Sequence, residues 1–336
     1  MRKILLFLLR RPLTALGGLL AQAPKKETVF KSLSQLYYSI HKPVLNRLKT
    51  VEADGKNLKL IIFSDQHKGN KSFADDFKSN EKNYLTAMKY YYEQGFSLVL
   101  LGDCEELWKF SVEEIIAHNE PTLIAESAFF PDRYYRTFGN HDLLWKNPLD
   151  VALHLKKFFP EVPPVFEGLL IKLQYLSRPL TLFLTHGHQG DVMSDNNALS
   201  SWIIAHIWMP MQRYLRLNIN APSKDYTLRN RHNELMYEWC RRKKDLLLIT
   251  GHTHKPVFAS GRYFSTASVK IAQDQPQLKP GYFNTGCCCY ADGDITGIEI
   301  ENGCIRLIKW YHEEVQSERM VLEEKTLEEI LKDFNS

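Results

Sequence analysis

Apolar residues in this chain fall into short blocks that stop abruptly at polar donor residues. Leu60-Ile61-Ile62-Phe63 is uninterrupted, then gives way to Ser64-Asp65-Gln66-His67. A run this short and this apolar predicts a strand buried on both faces. The design recurs four times. Leu98–Leu101 precedes Gly102-Asp103, and Tyr134–Phe138 precedes Gly139-Asn140-His141-Asp142. Leu180–Thr185 precedes His186-Gly187-His188, and Leu246–Thr250 precedes Gly251-His252-Thr253-His254. Further strands are predicted at Tyr282–Gly286, Gly297–Ile300 and Ile305–Ile308, the last two joined by the hairpin signal Asn302-Gly303.

Between these blocks the period changes to that of a helix. Val29 to Leu48 is expected to be helical, with Leu33, Leu36, Tyr37 and Ile40 on one face. Asn80 to Glu93 places Tyr84, Met88 and Tyr91 together, and Gly95 ends it. Trp202 to Leu217 reads as a helix kinked at Pro210. Near the end, Thr326 and Glu329 have capping-box spacing, and Leu327, Ile330, Leu331 and Phe334 form one face of a last helix.

Composition narrows the class. A chain of 336 residues, 44% hydrophobic and 24% charged, is an ordinary folded protein with room for one large domain and an insert. A net charge of +4 over this length offers nucleic acid little attraction. The segment Lys3 to Leu9 is apolar but too short to span a bilayer, and Arg10-Arg11 interrupts it. It is expected either to lie on an anionic membrane surface or to pack on the protein body. The expected location is the cytoplasm, with the inner-membrane surface as a candidate contact. Six cysteines include Cys287-Cys288-Cys289 but no Cys-x-x-Cys pair, so they are read as small buried residues in a reducing compartment.

The donors at the strand ends carry the chemistry. Carboxylate, amide oxygen and imidazole together suit borderline divalent cations. A glycine before Asp103 lets the backbone turn sharply beneath a carboxylate, and Asp103 is the candidate bridge between two cations. Two histidines separated by one residue, as at His186/His188 and His252/His254, cannot both serve one apolar strand face without burying polar nitrogens. His141 is a candidate general acid, and Glu106, three residues past Asp103, is a candidate to orient it. His188 either contacts substrate phosphate or caps its turn.

The series Asp65-x-His67, Gly102-Asp103, Gly139-Asn140-His141-Asp142, His186 and Gly251-His252-x-His254 resembles the calcineurin-like metallophosphoesterase superfamily over about residues 58 to 300. The resemblance implies an α/β fold, a four-layer αββα sandwich with a dinuclear centre at the strand ends. It implies one metal held by Asp65, His67, Asp103 and His254, and a second held by Asp103, Asn140, His186 and His252. Manganese is the first expectation, with iron and zinc as the others. The implied reaction is hydrolysis of a phosphate ester or diphosphate bond by a metal-bridging hydroxide, with His141, Asp142 and Glu106 as catalytic candidates. The ending Gly251 to Pro256 and an insert at about 194–245 are similar to the UDP-diacylglucosamine pyrophosphatase branch. However, His141 stands where that branch carries Arg. The expected organisation is an N-terminal helical extension at 1–50, the phosphoesterase domain at 57–312 and a C-terminal helix at 313–336. The basic, aromatic insert is a candidate lid, and the expected partner is a phosphorylated small molecule or a lipid-linked substrate. A non-catalytic scaffold on the same fold is the alternative from a different class.

Overall fold

The computed structural model describes residues 25–39, 47–190, 226–261, 281–313 and 316–334. Eleven strands among them form two sheets. The first has the order β1 (Leu48–Asp54), β5 (Gly168–Tyr175), β6 (Arg178–Thr185), β7 (Leu246–Thr250) and β8 (Tyr282–Asn284). The second has the order β11 (Gln316–Thr326), β10 (Cys304–Glu313), β9 (Ile295–Glu301), β2 (Leu60–Phe63), β3 (Ser97–Leu101) and β4 (Tyr134–Thr137). The described α-helices are α1 (Lys26–Tyr38), α2 (Glu81–Glu93), α3 (Val112–His118), α4 (Glu120–Ser127), α5 (Pro148–His154), α6 (Tyr226–Cys240) and α7 (Leu327–Asp333).

Strand periodicity explains the layering, because alternate side chains serve opposite faces. Leu60 and Ile62 of β2 join Val99 and Leu101 of β3 in a core shared with Leu247 and Ile249 of β7. Ile61 and Phe63 face the other way and pack beneath Tyr84, Met88 and Tyr91 of α2. On the far side, Phe183, Leu246 and Leu248 meet Val29, Leu33 and Leu36 of α1 and Leu235, Met236 and Trp239 of α6. Helix, sheet, sheet, helix is the expected four-layer sandwich. Both faces of β2, β3 and β7 are covered, which is why their sequences are continuously apolar rather than alternating.

Three boundaries differ from expectation. Helix α1 stops at Tyr38 rather than reaching Leu48, which instead opens the edge strand β1. That strand has no fully buried residue, so no apolar run announced it. Residues 26–38 are thus one layer of the sandwich, not an appendage. Helix α6, from the end of the insert, packs as part of that same layer, and residues 194–225 of the expected lid lie outside the described residues. The stretch 313–336 is not one helix. β11 occupies Gln316–Thr326 along the sheet edge, and only the capped turn α7 follows, with Leu327, Ile330 and Leu331 buried as expected. Ile40, the segment before residue 25 and the kinked helix at 202–217 lie outside the described residues. Among the described residues, no helix is long and apolar enough to cross a membrane.

Candidate metal centre

β2, β3 and β4 run parallel to one another, as do β6 and β7. Their carboxyl ends deliver the donor loops to one place at the sheet edges, where open α/β sheets hold ligands. The loops are tied by backbone bonds: Asp65 N to Gly102 O (3.1 Å), His67 N to Asp103 O (2.9 Å) and Gly251 N to His186 O (2.9 Å). Five donor residues adopt left-handed backbone, Asp65 (φ 54°), His67 (50°), Asp103 (52°), His252 (68°) and His254 (52°). Such conformations cost about 1–3 kcal/mol each for non-glycine residues and persist where the surroundings over-determine them. Glycines make the close approach feasible. A Cβ at Gly139 would lie 2.2 Å from Asp103 Oδ1, and one at Gly251 would lie 2.4 Å from Asp65 Oδ2.

The donors divide into two sets joined by one carboxylate. In the first, His254 Nε2 lies 3.3 Å from Asp65 Oδ1 and 3.1 Å from His67 Nε2. Asp103 Oδ2 is 3.7 Å from His67 Nε2. That same oxygen is 3.2 Å from His186 Nε2, which lies 3.2 Å from Asn140 Oδ1. Asp103, His186 and His252 converge on one point. All seven expected metal residues are therefore brought together, and Asp103 reaches both sets. The remaining Asp103 oxygen accepts from His141 N at 2.8 Å, which fixes the bridge in place. Imidazole nitrogens facing each other at 3.1 Å beside buried carboxylates fit a divalent cation, and the oxygen and nitrogen donors suit manganese, iron or zinc.

Without such a cation, protons take its place. Burial disfavours charge on His186 and His254, but Asp103 beside the first and Asp65 beside the second push both up to about 9. Burial likewise opposes ionisation of Asp65 and Asp103. The histidines facing them still hold both carboxyls well below the usual range.

Glu106 serves two rings. Its Oε1 lies 2.9 Å from His141 Nδ1, and its Oε2 lies 3.2 Å from His67 Nδ1. It therefore contacts the general-acid candidate and a metal-ligand candidate at once, where the sequence pointed only to the first. Burial raises its pKa, but His141 and then Lys109 outweigh that and keep the carboxylate ionised. Trp108, which the sequence did not single out, stacks on the His141 ring at 4.0 Å and donates to Asn140 O at 3.0 Å.

Asp142 has a different position from the one a catalytic residue needs. Its carboxylate is fully buried and accepts from Gly139 N (2.6 Å), Cys104 N (2.8 Å) and Asp103 N (3.3 Å). It braces the two loops that carry Asp103 and Asn140 rather than facing the donors. Burial and the neighbouring charges of Asp103 and Glu105 push its pKa up to about 6, against Arg136. Behind it lies a closed charge network: Arg136 pairs with Glu105, Lys68 pairs with Glu126, and Lys68 lies 3.7 Å from Glu105.

His188 is buried beside His186, with ring centroids 5.5 Å apart. His232 of α6 accompanies it: its Nε2 is 2.5 Å from Gly187 O, and its ring lies 5.1 Å from that of His252. The insert thus contributes an imidazole that no strand-end pattern pointed to. The cysteine run also departs from expectation. Cys287 and Cys288 are buried, but half-buried Cys289 places Sγ 3.5 Å from His254 Nδ1.

A family model described as calcineurin-like phosphoesterase matches residues 58–256. The chain belongs to this family. Membership supports metal-dependent phosphoester chemistry and a two-metal centre in general terms, and the matched span contains every strand-end donor described above. No curated protein matches the chain. Among solved structures, a dimetal phosphatase from Danio rerio is 8% identical, over 79% of this chain and 99% of that one, with a TM-score of 0.40. Vacuolar Protein Sorting 29 from Cryptosporidium parvum is 14% identical over 80% and 98%, with a TM-score of 0.35. A single mutant of Vps29 from Entamoeba histolytica is also 14% identical, over 79% and 100%, at 0.32.

Proposed function

We propose that this protein is a dinuclear metal-dependent hydrolase of phosphate esters or diphosphates. The observation that carries the proposal is Asp103 Oδ2, which lies between His67 Nε2 and His186 Nε2 and so joins two complete donor sets. Asp65, His67, Asp103 and His254 would hold one cation, and Asp103, Asn140, His186 and His252 the other. Bound there, two divalent cations supply an acidified water and charge neutralisation for the phosphoryl oxygens. Manganese is the preferred occupant.

The chain's own residues supply the rest. Glu106 accepts the Nδ1 proton of His141, so His141 Nε2 is the atom free to pass a proton to a leaving oxygen. Trp108 keeps that ring from rotating away. Asp142 and Arg136 hold the loop rigid behind it. Beside the ligand candidates His186 and His252, the buried imidazoles of His188 and His232 line the side toward α6 and are the candidate substrate contacts there. A scaffold would gain nothing from seven convergent donors, five of them on strained backbone. A lipid-linked diphosphate and contact with a membrane surface are the finer expectations, resting on the basic, aromatic insert and the N-terminal segment.

The test is turnover of bis(p-nitrophenyl) phosphate and of a diester with a poor alkoxide leaving group, with Mn²⁺ and after chelation. Expected are metal-dependent turnover of both and a His141→Gln variant that loses far more rate on the alkoxide substrate. Turnover unaffected by chelation, or equal losses on both substrates, contradicts the mechanism.

A further inference from the structure

Three of the ligand imidazoles show what holds their outer nitrogen. His67 Nδ1 faces a Glu106 oxygen at 3.2 Å, and His186 Nδ1 faces the Leu101 carbonyl at 2.9 Å. Both are oxygen acceptors, the usual partners of a metal-bound histidine. His254 differs. Its Nε2 is turned toward Asp65 and His67, and its Nδ1 meets Cys289 Sγ at 3.5 Å. The loop that carries the sulfur is fastened on both sides of it. Cys288 N donates to Asp65 O at 3.2 Å, and Tyr290 Oη donates to His254 O at 3.3 Å. The Cys287 thiol also lies within hydrogen-bonding reach of both His254 and Cys289.

Resting on the two-metal reading above, we propose that Cys289 is the positioning residue for His254, its sulfur accepting the Nδ1 proton in place of an oxygen. A cation on Nε2 leaves the proton on Nδ1, and Cys289 Sγ lies 3.5 Å from that nitrogen with the Cys287 thiol beside it. Sulfur is a weaker acceptor than a carboxylate or carbonyl oxygen. His254 is therefore a less basic and less firmly aimed ligand than His67 or His186. The cation held by Asp65, His67, Asp103 and His254 is the more readily exchanged of the two.

The experiment is a Mn²⁺ titration of the metal-stripped full chain against a competing chelator, followed by electron paramagnetic resonance. Wild type is expected to show two unequal sites. Cys289→Ala, alone and with Cys287→Ala to remove the neighbouring thiol, weakens one site by about 10- to 100-fold and leaves the other within about twofold. Cys289→Ser keeps an acceptor, retains most of the affinity and shows that the position tolerates substitution. Wild-type binding in the double variant overturns the proposal. So does a sulfur-to-cobalt charge-transfer band in the Co²⁺-loaded protein that Cys289→Ala abolishes, since the sulfur would then be a ligand itself. If wild type takes up no metal, the two-metal reading fails first. If it takes up two and the variants match it, only the role of Cys289 fails.

Discussion

Two clusters of buried charge lie side by side in this molecule, and they are balanced in opposite ways. Behind Asp103, Lys68 and Arg136 face Glu105, Glu126 and Asp142, with all five side chains at or near complete burial. Two permanent cations there face three carboxylates, and the third, Asp142, is also held by backbone amides, so the cluster takes its positive charge from within the chain. In front, the ionisable partners of Asp65 and Asp103 are imidazoles, which can be protonated or can bind metal. The first cluster is a brace, and the second needs a cation from outside. Asp142 and Asp103 lie in the same kind of strand-end loop, yet they belong to different clusters.

Substitutions can separate the two. The largest effect is expected at Asp103→Asn, which removes the shared carboxylate oxygen charge from both donor sets. Turnover should fall on the order of 10³-fold, about 4 kcal/mol, with bound metal lost in parallel. In the brace, Arg136→Met leaves Glu105 and Asp142 buried without their guanidinium. Denaturant unfolding should show a loss of about 3–5 kcal/mol, while the folded fraction still binds metal. Metal loss with Arg136→Met at undiminished stability would erase the distinction between brace and centre.

Glu106→Gln comes next. It should slow turnover by roughly 10- to 100-fold and weaken metal binding as well, because the carboxylate serves both His141 and His67. A rate defect without any change in metal affinity would confine Glu106 to His141. The smallest effect is on pH dependence. His186 and His254, pushed up to about 9, hold protons that metal must displace. Affinity should therefore rise with pH and level off near 9, as a chelator competition at several pH values would show. The metal-free protein should behave inversely. Stability from these two groups is full below their usual 6.5 and fades as pH rises through about 9.

The sequence disclosed the centre because strands buried on both faces leave unbroken apolar runs, and each such run stopped at a donor. It disclosed α2 and α7 because their buried faces repeat at helical spacing. It did not disclose β1 or β11, which lie at sheet edges with no fully buried residue and so have no apolar signature. Nor could it tell that Asp142 turns to backbone amides while Asp103 faces the donors, since that depends on which loop each carboxylate meets in space. Trp108, His232 and Cys289 escaped for the same reason. Each reaches the centre through a tertiary contact with a residue at least 32 positions away.

Elemental analysis of the purified full-length protein after exhaustive dialysis against buffer with limiting Mn²⁺, set beside Asp103→Asn, tests the central claim most directly. Two metal ions per chain in the wild type and at most one, weakly held, in the variant are the predicted result. No bound metal in the wild type, or two ions retained by Asp103→Asn, would contradict it.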